Sequence, residues 1–164
     1  MNTAMAARQL QNGVTRCNKG LGRNQCSACL YFTSTPNEVV KEVKVHSSGQ
    51  VIKVEGKLNC KTTFLYILES SKSSKGPGDP LNQYVGQSGA RVMDRLGQHR
   101  RSIENDDGSK VVPQHFYETG STVRDLVFTS VLQFKTKNPW VRLHFERQFI
   151  NEHGGLDKFI NQNL

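Results

Sequence analysis

Two short runs in the middle of the chain decide the fold: TTFLYIL at residues 62–68 and QYVG at residues 83–86. The first run is rich in β-branched and aromatic residues, which predicts a buried strand. The residues between the runs, 70–82, include the sequence GPGDP. Glycine and proline interrupt regular backbone hydrogen bonding, so this segment predicts a loop. The two runs therefore predict a hairpin of short strands joined by a long turn.

A helix, a loop and a third strand are predicted after this hairpin. Residues 89–103 have the periodicity of a helix. Their apolar stripe consists of Val92, Met93, Leu96 and Ile103. Residues 105–113 are polar and predict a loop. Residues 123–134 are rich in Val, Leu, Phe and Thr, which predicts a strand.

The last predicted element is a helix that ends near Glu152. Asn138 can cap its first turn, and Pro139 suits the first helical position. Gly154 and Gly155 follow its end, where glycine is common. The order strand, strand, helix, strand, helix predicts an α+β fold, in which helices flank a small, mainly antiparallel three-stranded sheet.

The N-terminal part of the chain differs in composition. Residues 1–59 carry eight basic and three acidic residues and little apolar material. Within them, residues 39–45 and 51–54 are β-prone and partly alternating, which predicts a hairpin. We therefore divide the chain into a basic, cysteine-containing segment, residues 1–59, and a second domain, residues 60–164.

The whole chain is basic: 22 Lys and Arg stand against 14 Asp and Glu, a formal net charge of +8. This balance favours a polyanionic partner, and nucleic acid is the leading candidate. No run approaches the roughly 18 apolar residues of a membrane span, so we expect no membrane partner. Residues 1–11 lack the apolar stretch of a secretory signal, which predicts an intracellular protein with reduced thiols.

The four cysteines suggest a metal site more than disulfides. Cys26 and Cys29, separated by two residues, can place two thiolates on one tetrahedral zinc ion. Cys17 and Cys60 can complete a four-sulfur structural site, and His46 is the alternative fourth ligand. A redox pair or unconnected thiols are the alternatives to zinc.

One carboxylate falls on the apolar stripe of the last helix. Leu143, Glu146 and Ile150 are spaced at i, i+3 and i+7, so Glu146 lies among apolar residues. A buried carboxylate is costly unless it has a partner or a metal ion. The alternative is a tilted stripe, with Glu146 at its edge and paired with a nearby arginine.

The earlier helix carries a cationic ridge. Arg91, Arg95 and His99 follow one another at four-residue intervals, and Arg100 and Arg101 extend the charge. Such a ridge can bind phosphate groups. The alternative is an ordinary solvated helix face.

Five of these residues occur in the order of a known nuclease pattern. The five are Tyr66, Tyr84, Arg95, His99 and Glu146. Together, on two short strands and two later helices, they resemble the GIY-YIG nuclease domain. The resemblance covers about residues 62–164. More narrowly, the chain is similar to the endonuclease region of Penelope-like retroelements, on the basis of CKTT at residues 60–63 and of His115 followed by Phe116.

The resemblance implies a metal-dependent DNA endonuclease that hydrolyses phosphodiester bonds. It implies that Glu146 binds Mg²⁺ or Mn²⁺ while Tyr66, helped by Tyr84, orients or deprotonates the attacking water. Arg95 would stabilise the charge that develops on the phosphate. His99 would relay a proton or contact the scissile phosphate. The chain would be a separate domain, a truncated relic or a host gene derived from such an element.

Other residues are expected to hold DNA. Arg91, Arg100 and Arg101 suit contacts with the phosphate backbone. The resemblance adds a tail asparagine, Asn161, with Asn163 as the alternative. A DNA substrate makes nuclear residence the expectation, and the sequence leaves the oligomeric state open. The alternatives to a nuclease are a catalytically inactive nucleic-acid-binding module and a basic scaffold for acidic proteins.

Overall fold

The structure is a computed structural model that describes residues 12–17, 26–33, 35, 38–46, 48–72, 82–155 and 159–163. Within them the chain forms strands β1 (Gly13–Val14), β2 (Glu42–Lys44), β3 (Val51–Lys53), β4 (Lys57–Leu58), β5 (Phe64–Ser70), β6 (Gln83–Ser88) and β7 (Leu126–Gln133). Its α-helices are α1 (Val92–Glu104), α2 (Val111–Glu118) and α3 (Pro139–Glu152).

The main sheet has three antiparallel strands in the order β6-β5-β7. The apolar run that predicts a buried strand forms β5, and every residue of that strand is buried. Its register with β6 sets Tyr66 opposite Gly86 and Leu68 opposite Tyr84. The hairpin predicted from the two short runs is therefore confirmed.

Alternation along β5 gives this sheet two apolar faces. Phe64, Tyr66 and Leu68 join a core with the buried residues of α1 and α2. Leu65 and Ile67 point the other way and join a second core with the buried residues of α3. Successive side chains of a strand point to opposite faces, so one strand packs against helices on both sides.

The N-terminal segment packs on this sheet. β1 pairs in parallel with β4, and β2 and β3 form an antiparallel hairpin. At the edge of β7, the Glu55 N–H donates to the Val131 carbonyl at 3.3 Å, and the Gln133 N–H donates to the Glu55 carbonyl at 3.0 Å. The ring of Phe32 meets that of Phe128 edge-on, with centroids 6.5 Å apart. The division predicted between the two parts does not coincide with a break in packing.

The predicted α+β class, three-stranded antiparallel sheet and N-terminal hairpin are confirmed. The structure adds α2, which begins inside the predicted loop 105–113. Its Pro113 lies in the first helical turn, where a missing N–H breaks no helical hydrogen bond.

The predicted loop 70–82 falls mainly outside the described residues, as do residues 1–11. No helix among the described residues is long and apolar enough to cross a membrane.

Candidate functional site

The rings of Tyr66, Tyr84 and His99 meet between the sheet and α1. The centroids of the two tyrosine rings are 6.3 Å apart, and that of His99 lies 5.6 Å from Tyr66 and 5.9 Å from Tyr84. The register of β5 and β6 brings Gly86 against the Tyr66 ring, and a Cβ at Gly86 would overlap with that ring. The glycine of the QYVG run is therefore required by this close approach.

The Tyr66 hydroxyl is held by two hydrogen bonds. Arg95 Nε donates to Tyr66 Oη at 3.1 Å, and Tyr66 Oη lies 2.7 Å from His99 Nε2. Because arginine can only donate, Tyr66 accepts from Arg95 and donates its own hydrogen to His99. Burial, together with the positive charges of Arg95 and Lys110, lowers the pKa of His99 to about 3. His99 is therefore neutral at pH 7 and can accept this hydrogen.

Both phenols are protonated at neutral pH. Burial is the largest cause that raises the pKa of Tyr66 well above 10, Tyr84 adds to it, and Arg95 opposes it. Burial also raises the pKa of Tyr84, against the opposing effect of Arg95. A protonated phenol can orient a ligand, but it acts as a base only when a nearby cation favours the phenolate.

Glu146, on α3, lies close enough to act electrostatically on this group. Burial raises the pKa of the half-buried Glu146 carboxyl to about 7, and the charges of Arg147 and Arg95 oppose this rise in part. The Glu146 charge in turn raises the pKa of Tyr66 and of Tyr84. In the part of the chain that the structure describes, no ion pair or hydrogen bond occupies the Glu146 carboxylate. It is therefore available to a cation.

The three arginines predicted to contact phosphate have different surroundings. Arg91 is exposed and forms an ion pair with Asp94, with Nε and Oδ2 2.9 Å apart. Arg101 is also exposed. Arg100 is half-buried, and its Nε has no hydrogen-bond partner among the described residues. Arg91 and Arg101 are thus the more accessible to a polyanion.

Asn161 is buried, which corrects its predicted contact with DNA. Its side chain is 3% exposed. The Val85 N–H donates to Asn161 Oδ1 at 2.9 Å, and Asn161 Nδ2 donates to the Val85 carbonyl at 2.7 Å. Both ends of the amide are therefore used by the backbone of β6. Asn161 supports the strand that carries Tyr84.

Arg142, which joins α3 to β6, was not predicted as a site residue from the sequence. Arg142 Nε donates to Gln87 Oε1 at 2.9 Å, and Nη1 donates to the Lys137 carbonyl at 2.9 Å. Its guanidinium fills the space over Gly89, where a Cβ would lie 2.6 Å from Nη2. The available signal was its spacing of four residues from Glu146, which puts both on one face of α3.

His115 is placed in a buried polar network. His115 Nε2 lies 2.9 Å from Asn82 Oδ1. Asn82 Nδ2 donates to the Ser70 carbonyl at 3.0 Å, at the end of β5. His115 therefore supports the residue before β6, and it is not among the residues that contact the Tyr66 hydroxyl.

The four cysteines form a compact cluster, as predicted. The Sγ atoms of Cys17, Cys26, Cys29 and Cys60 all lie within 4.8 Å of one another. Four sulfurs bound to zinc at about 2.3 Å stand about 3.8 Å apart in a tetrahedron. All four are free thiols. The cluster can therefore bind one metal ion such as zinc.

Burial makes free thiolates costly in this cluster. It raises the pKa of Cys29 to about 11, and it raises the pKa of Cys60 further. Metal binding must therefore displace thiol protons. His46, the alternative ligand, is not part of the cluster. Its backbone N–H donates to Glu69 Oε2 at 3.1 Å.

The cluster is connected to the start of α1. The N-cap residue of α1 makes no side-chain capping bond. Instead, the Met93 N–H donates to the Cys60 carbonyl at 2.9 Å, and the Val92 N–H donates to the Thr62 carbonyl at 3.0 Å. The first N–H groups of a helix have no partner within the helix, so outside acceptors stabilise its start. The turn that holds the fourth cysteine therefore caps the helix of the candidate active site.

Comparisons with known proteins give no relative. No family model, curated protein or solved structure matches the chain. The function is therefore inferred from the residues of the site.

Proposed function

We propose that the chain is a metal-dependent DNA endonuclease of the GIY-YIG type. The observation that carries the proposal is the grouping of five candidate residues. Tyr66 is hydrogen-bonded to Arg95 and His99, and the ring of Tyr84 lies beside those of Tyr66 and His99. The charge of Glu146 acts on both phenols. Phosphodiester hydrolysis needs an oriented nucleophile and positive charge near the developing negative charge. The net charge of +8 supports a polyanionic substrate. Derivation from a Penelope-like retroelement and nuclear residence belong to the same proposal.

Glu146 is the proposed ligand of Mg²⁺ or Mn²⁺. These ions bind carboxylate oxygens, water and substrate phosphate, often with only one or two protein carboxylates. The half-buried carboxylate fits this chemistry because its own burial disfavours the charged form, which a cation would stabilise. When bound, the ion would supply positive charge beside the scissile phosphate and favour ionisation of an adjacent water.

Exposure separates the roles of the two phenols. Tyr66 is fully buried and does not line the cleft beside α1, whereas Tyr84 is partly exposed and lines it. Tyr84 is therefore the phenol that meets the attacking water. Tyr66 fixes the orientations of Arg95 and His99 from the protein interior, through its two hydrogen bonds.

Arg95 is the proposed stabiliser of charge on the phosphate. Its guanidinium already donates through Nε to Tyr66 and through Nη1 to Gln98 Oε1 at 3.0 Å. These two bonds fix the plane of the guanidinium before substrate binds. An oriented cation costs little reorganisation when negative charge develops in the transition state.

The alternative is a catalytically inactive nucleic-acid-binding module. The full burial of Tyr66 and its raised pKa favour this candidate, because they remove one phenol from direct chemistry. Such a module would bind DNA through the basic surface and would not need a metal at Glu146.

Nicking of supercoiled plasmid in Mg²⁺ or Mn²⁺ separates the two candidates. We expect the wild-type protein to nick the plasmid. We expect the nicking rate of Glu146→Gln to be lower by about 10²-fold or more, because loss of one oriented electrostatic group from an active site lowers the rate by this factor. Glu152→Gln is the matched control, since Glu152 is exposed on the same helix. Its rate should equal that of the wild type.

Absence of nicking by the wild type, with salt-dependent DNA binding retained, would select the inactive module. Equal nicking by Glu146→Gln and Glu152→Gln would reject the proposed site.

Zinc is the proposed occupant of the four-cysteine cluster. Four thiolates at tetrahedral spacing are typical of structural zinc, and reduced thiols are expected inside cells. Its role would be structural, because four protein ligands leave no open position for substrate.

A further inference from the structure

A cleft of about 940 Å³ lies between the C-terminal half of α1 and the start of α2. Residues 105–113 predicted only a loop, so this cleft was not expected from the sequence. Three residues of the candidate active site, Tyr84, Arg95 and His99, line it. A molecule in the cleft would therefore touch the same residues as the proposed scissile phosphate.

The lining combines apolar groups, cationic groups and one carboxylate, that of Asp107. Tyr84 offers an aromatic ring, and Val111 with Pro113 offers an aliphatic surface. Arg101 and Lys110, both exposed, add positive charge beside that of Arg95. Aromatic and aliphatic surfaces accept the face of a nucleobase, whereas cations accept phosphate.

Hydrogen-bonding groups complete the lining. Ser102, Asn105 and Ser109 carry short side chains that can donate and accept. These groups suit the polar edge of a base. Apolar surface, positive charge and short polar side chains are together the requirements of one nucleotide.

Two contacts of Lys110 link the sides of the cleft without any ligand. Lys110 Nζ lies 3.3 Å from Asp107 Oδ2 in an ion pair and donates to Ser102 Oγ at 3.3 Å. The second bond links Lys110, which precedes α2, to the last turn of α1. Binding to a preformed cleft costs less conformational entropy than binding that must order a loop.

The size of the cleft suits a single nucleotide. A volume of 940 Å³ is that of a small-molecule site, and the cleft has a helix on each side. A base that is stacked and paired within a duplex cannot place its face in such a cleft, whereas an unpaired base, or one rotated out of the duplex, can.

From these observations we infer that the cleft binds an unpaired nucleotide next to the scissile phosphate, so that the preferred substrate is DNA with unpaired nucleotides at the cleavage site. This inference rests on the proposed nuclease function. It adds the substrate class, which the five candidate residues do not specify.

Cleavage of matched oligonucleotides tests the inference. One substrate is a fully paired duplex, and the other has the same sequence with a short unpaired segment in one strand. We expect the second to be cleaved about tenfold faster, because stacking one base is worth this much. Equal rates, or faster cleavage of the paired duplex, would overturn the inference and leave the nuclease function standing.

A variant that fills the cleft tests the location. Ser102→Trp should remove the preference for the unpaired substrate, whereas Gln114→Trp, on the exposed face of α2, should keep it. Lys110→Gln is a second cleft variant for use if Ser102→Trp fails to fold. A preference unchanged in the folded cleft variants would reject this cleft as the binding site.

Binding measurements separate failure of the inference from failure of the nuclease proposal. Fluorescence anisotropy with the Glu146→Gln protein reports affinity for the same two oligonucleotides without cleavage. If no substrate is cleaved, tighter binding of the unpaired substrate that is lost in Ser102→Trp still supports the cleft. Equal affinity for both substrates would overturn it.

Discussion

Tyr66 has no freedom to rotate its hydroxyl hydrogen. Arg95 donates to the oxygen and His99 accepts the hydrogen, so each partner determines the role of the other. The low pKa of His99 keeps this arrangement unchanged over the physiological pH range. The hydroxyl is therefore part of the structure of the site as much as of its chemistry.

Removal of this hydroxyl should be costly for stability. Tyr66→Phe leaves Arg95 Nε and His99 Nε2 without their buried partner. Since an unsatisfied buried polar group costs about 1–3 kcal/mol, we expect a free energy of unfolding lower by about that amount. Urea unfolding measures it. Tyr117→Phe, at a tyrosine that is 71% exposed, should leave stability unchanged. Equal stability of the two variants would contradict the hydrogen-bond arrangement.

The raised pKa of Glu146 predicts how both the cleavage rate and the folding stability change with pH. Protons compete with a metal for this carboxylate, so we expect the cleavage rate to rise with pH up to about 7 and then to level. In the protein without Mg²⁺ or Mn²⁺, the folding stability changes with pH in the opposite direction. The unfolded state loses this proton at lower pH than the folded state, so stability falls as pH rises from the ordinary pKa of 4.5 through 7.

Glu146→Gln tests the pH dependence of stability. Because the amide is never charged, the metal-free variant should unfold at a higher temperature than the wild type at pH 8, and the difference should shrink towards pH 4. Thermal unfolding at both pH values measures it. A lower unfolding temperature for Glu146→Gln at pH 8 would show that the carboxylate is favourably paired in the metal-free protein.

Sequence order could predict the five candidate residues but not their supports. Glu146 stands out because a carboxylate occurs on an apolar stripe, whereas Tyr66 taken alone could be an ordinary strand aromatic and is singled out only by the order of the five residues. Arg142 and Asn161 have no such signal: each acts through the backbone or side chain of a distant strand, and only the folded chain brings those partners near. Asn161 was therefore expected on a surface and is found inside.

At the scale of elements, α1 depends on residues outside itself. Its first N–H groups bond to the turn of Cys60 and Thr62, which is held in the cysteine cluster. A structural metal that orders this turn would also order the start of α1, which precedes Arg95 by less than one turn. The helix is thus expected to be sensitive to loss of metal.

Metal removal should therefore reach the candidate active site. The protein should contain about one zinc ion per chain, and a chelator should lower the unfolding temperature and the hydrogen-exchange protection of α1. Cys60→Ser should have the same effects, whereas Lys61→Ala, at the exposed neighbour, should not. Mass spectrometry and hydrogen exchange measure these effects. Unchanged protection of α1 after zinc loss would show that the capping turn is ordered without metal.

The element that the sequence did not predict, α2, has weak local signals. Its N-cap residue Lys110 makes no capping bond, and Pro113 lies within it. Its helical state depends on burial of Val112 and Phe116 in the core that they share with residues of α1 and of the sheet, which is a tertiary effect. By contrast, β5 was predictable because its own residues form a short apolar run that is typical of a buried strand, and every residue of the strand is indeed buried.

At the scale of the whole molecule, the N-terminal segment supplies part of the core. Val14, Phe32 and Leu58 are buried in the same cluster as Phe64 and Phe128. Burying one such side chain stabilises a protein by about 1.5–3 kcal/mol. Three of them together approach the whole stability of a typical domain, about 5–15 kcal/mol.

The predicted second domain should therefore not fold alone. A fragment of residues 60–164 should lack the cooperative thermal transition of the full chain, because it exposes one side of Phe64 and Phe128. Circular dichroism at increasing temperature measures this. The full chain is the control, and a fragment with the same transition temperature would show that the N-terminal segment contributes nothing to the core.

Each outer strand of the sheet has backbone groups on its free side that are already hydrogen-bonded within the chain. Glu55 bonds to β7 through Val131 and Gln133, and Asn161 bonds to both backbone groups of Val85 on β6. Unpaired strand edges are where β-proteins join into continuous sheets and fibrils. At these positions a second copy of the chain has no backbone groups to pair with. If two copies act together to break both strands of a duplex, these edge positions are therefore not available to join them.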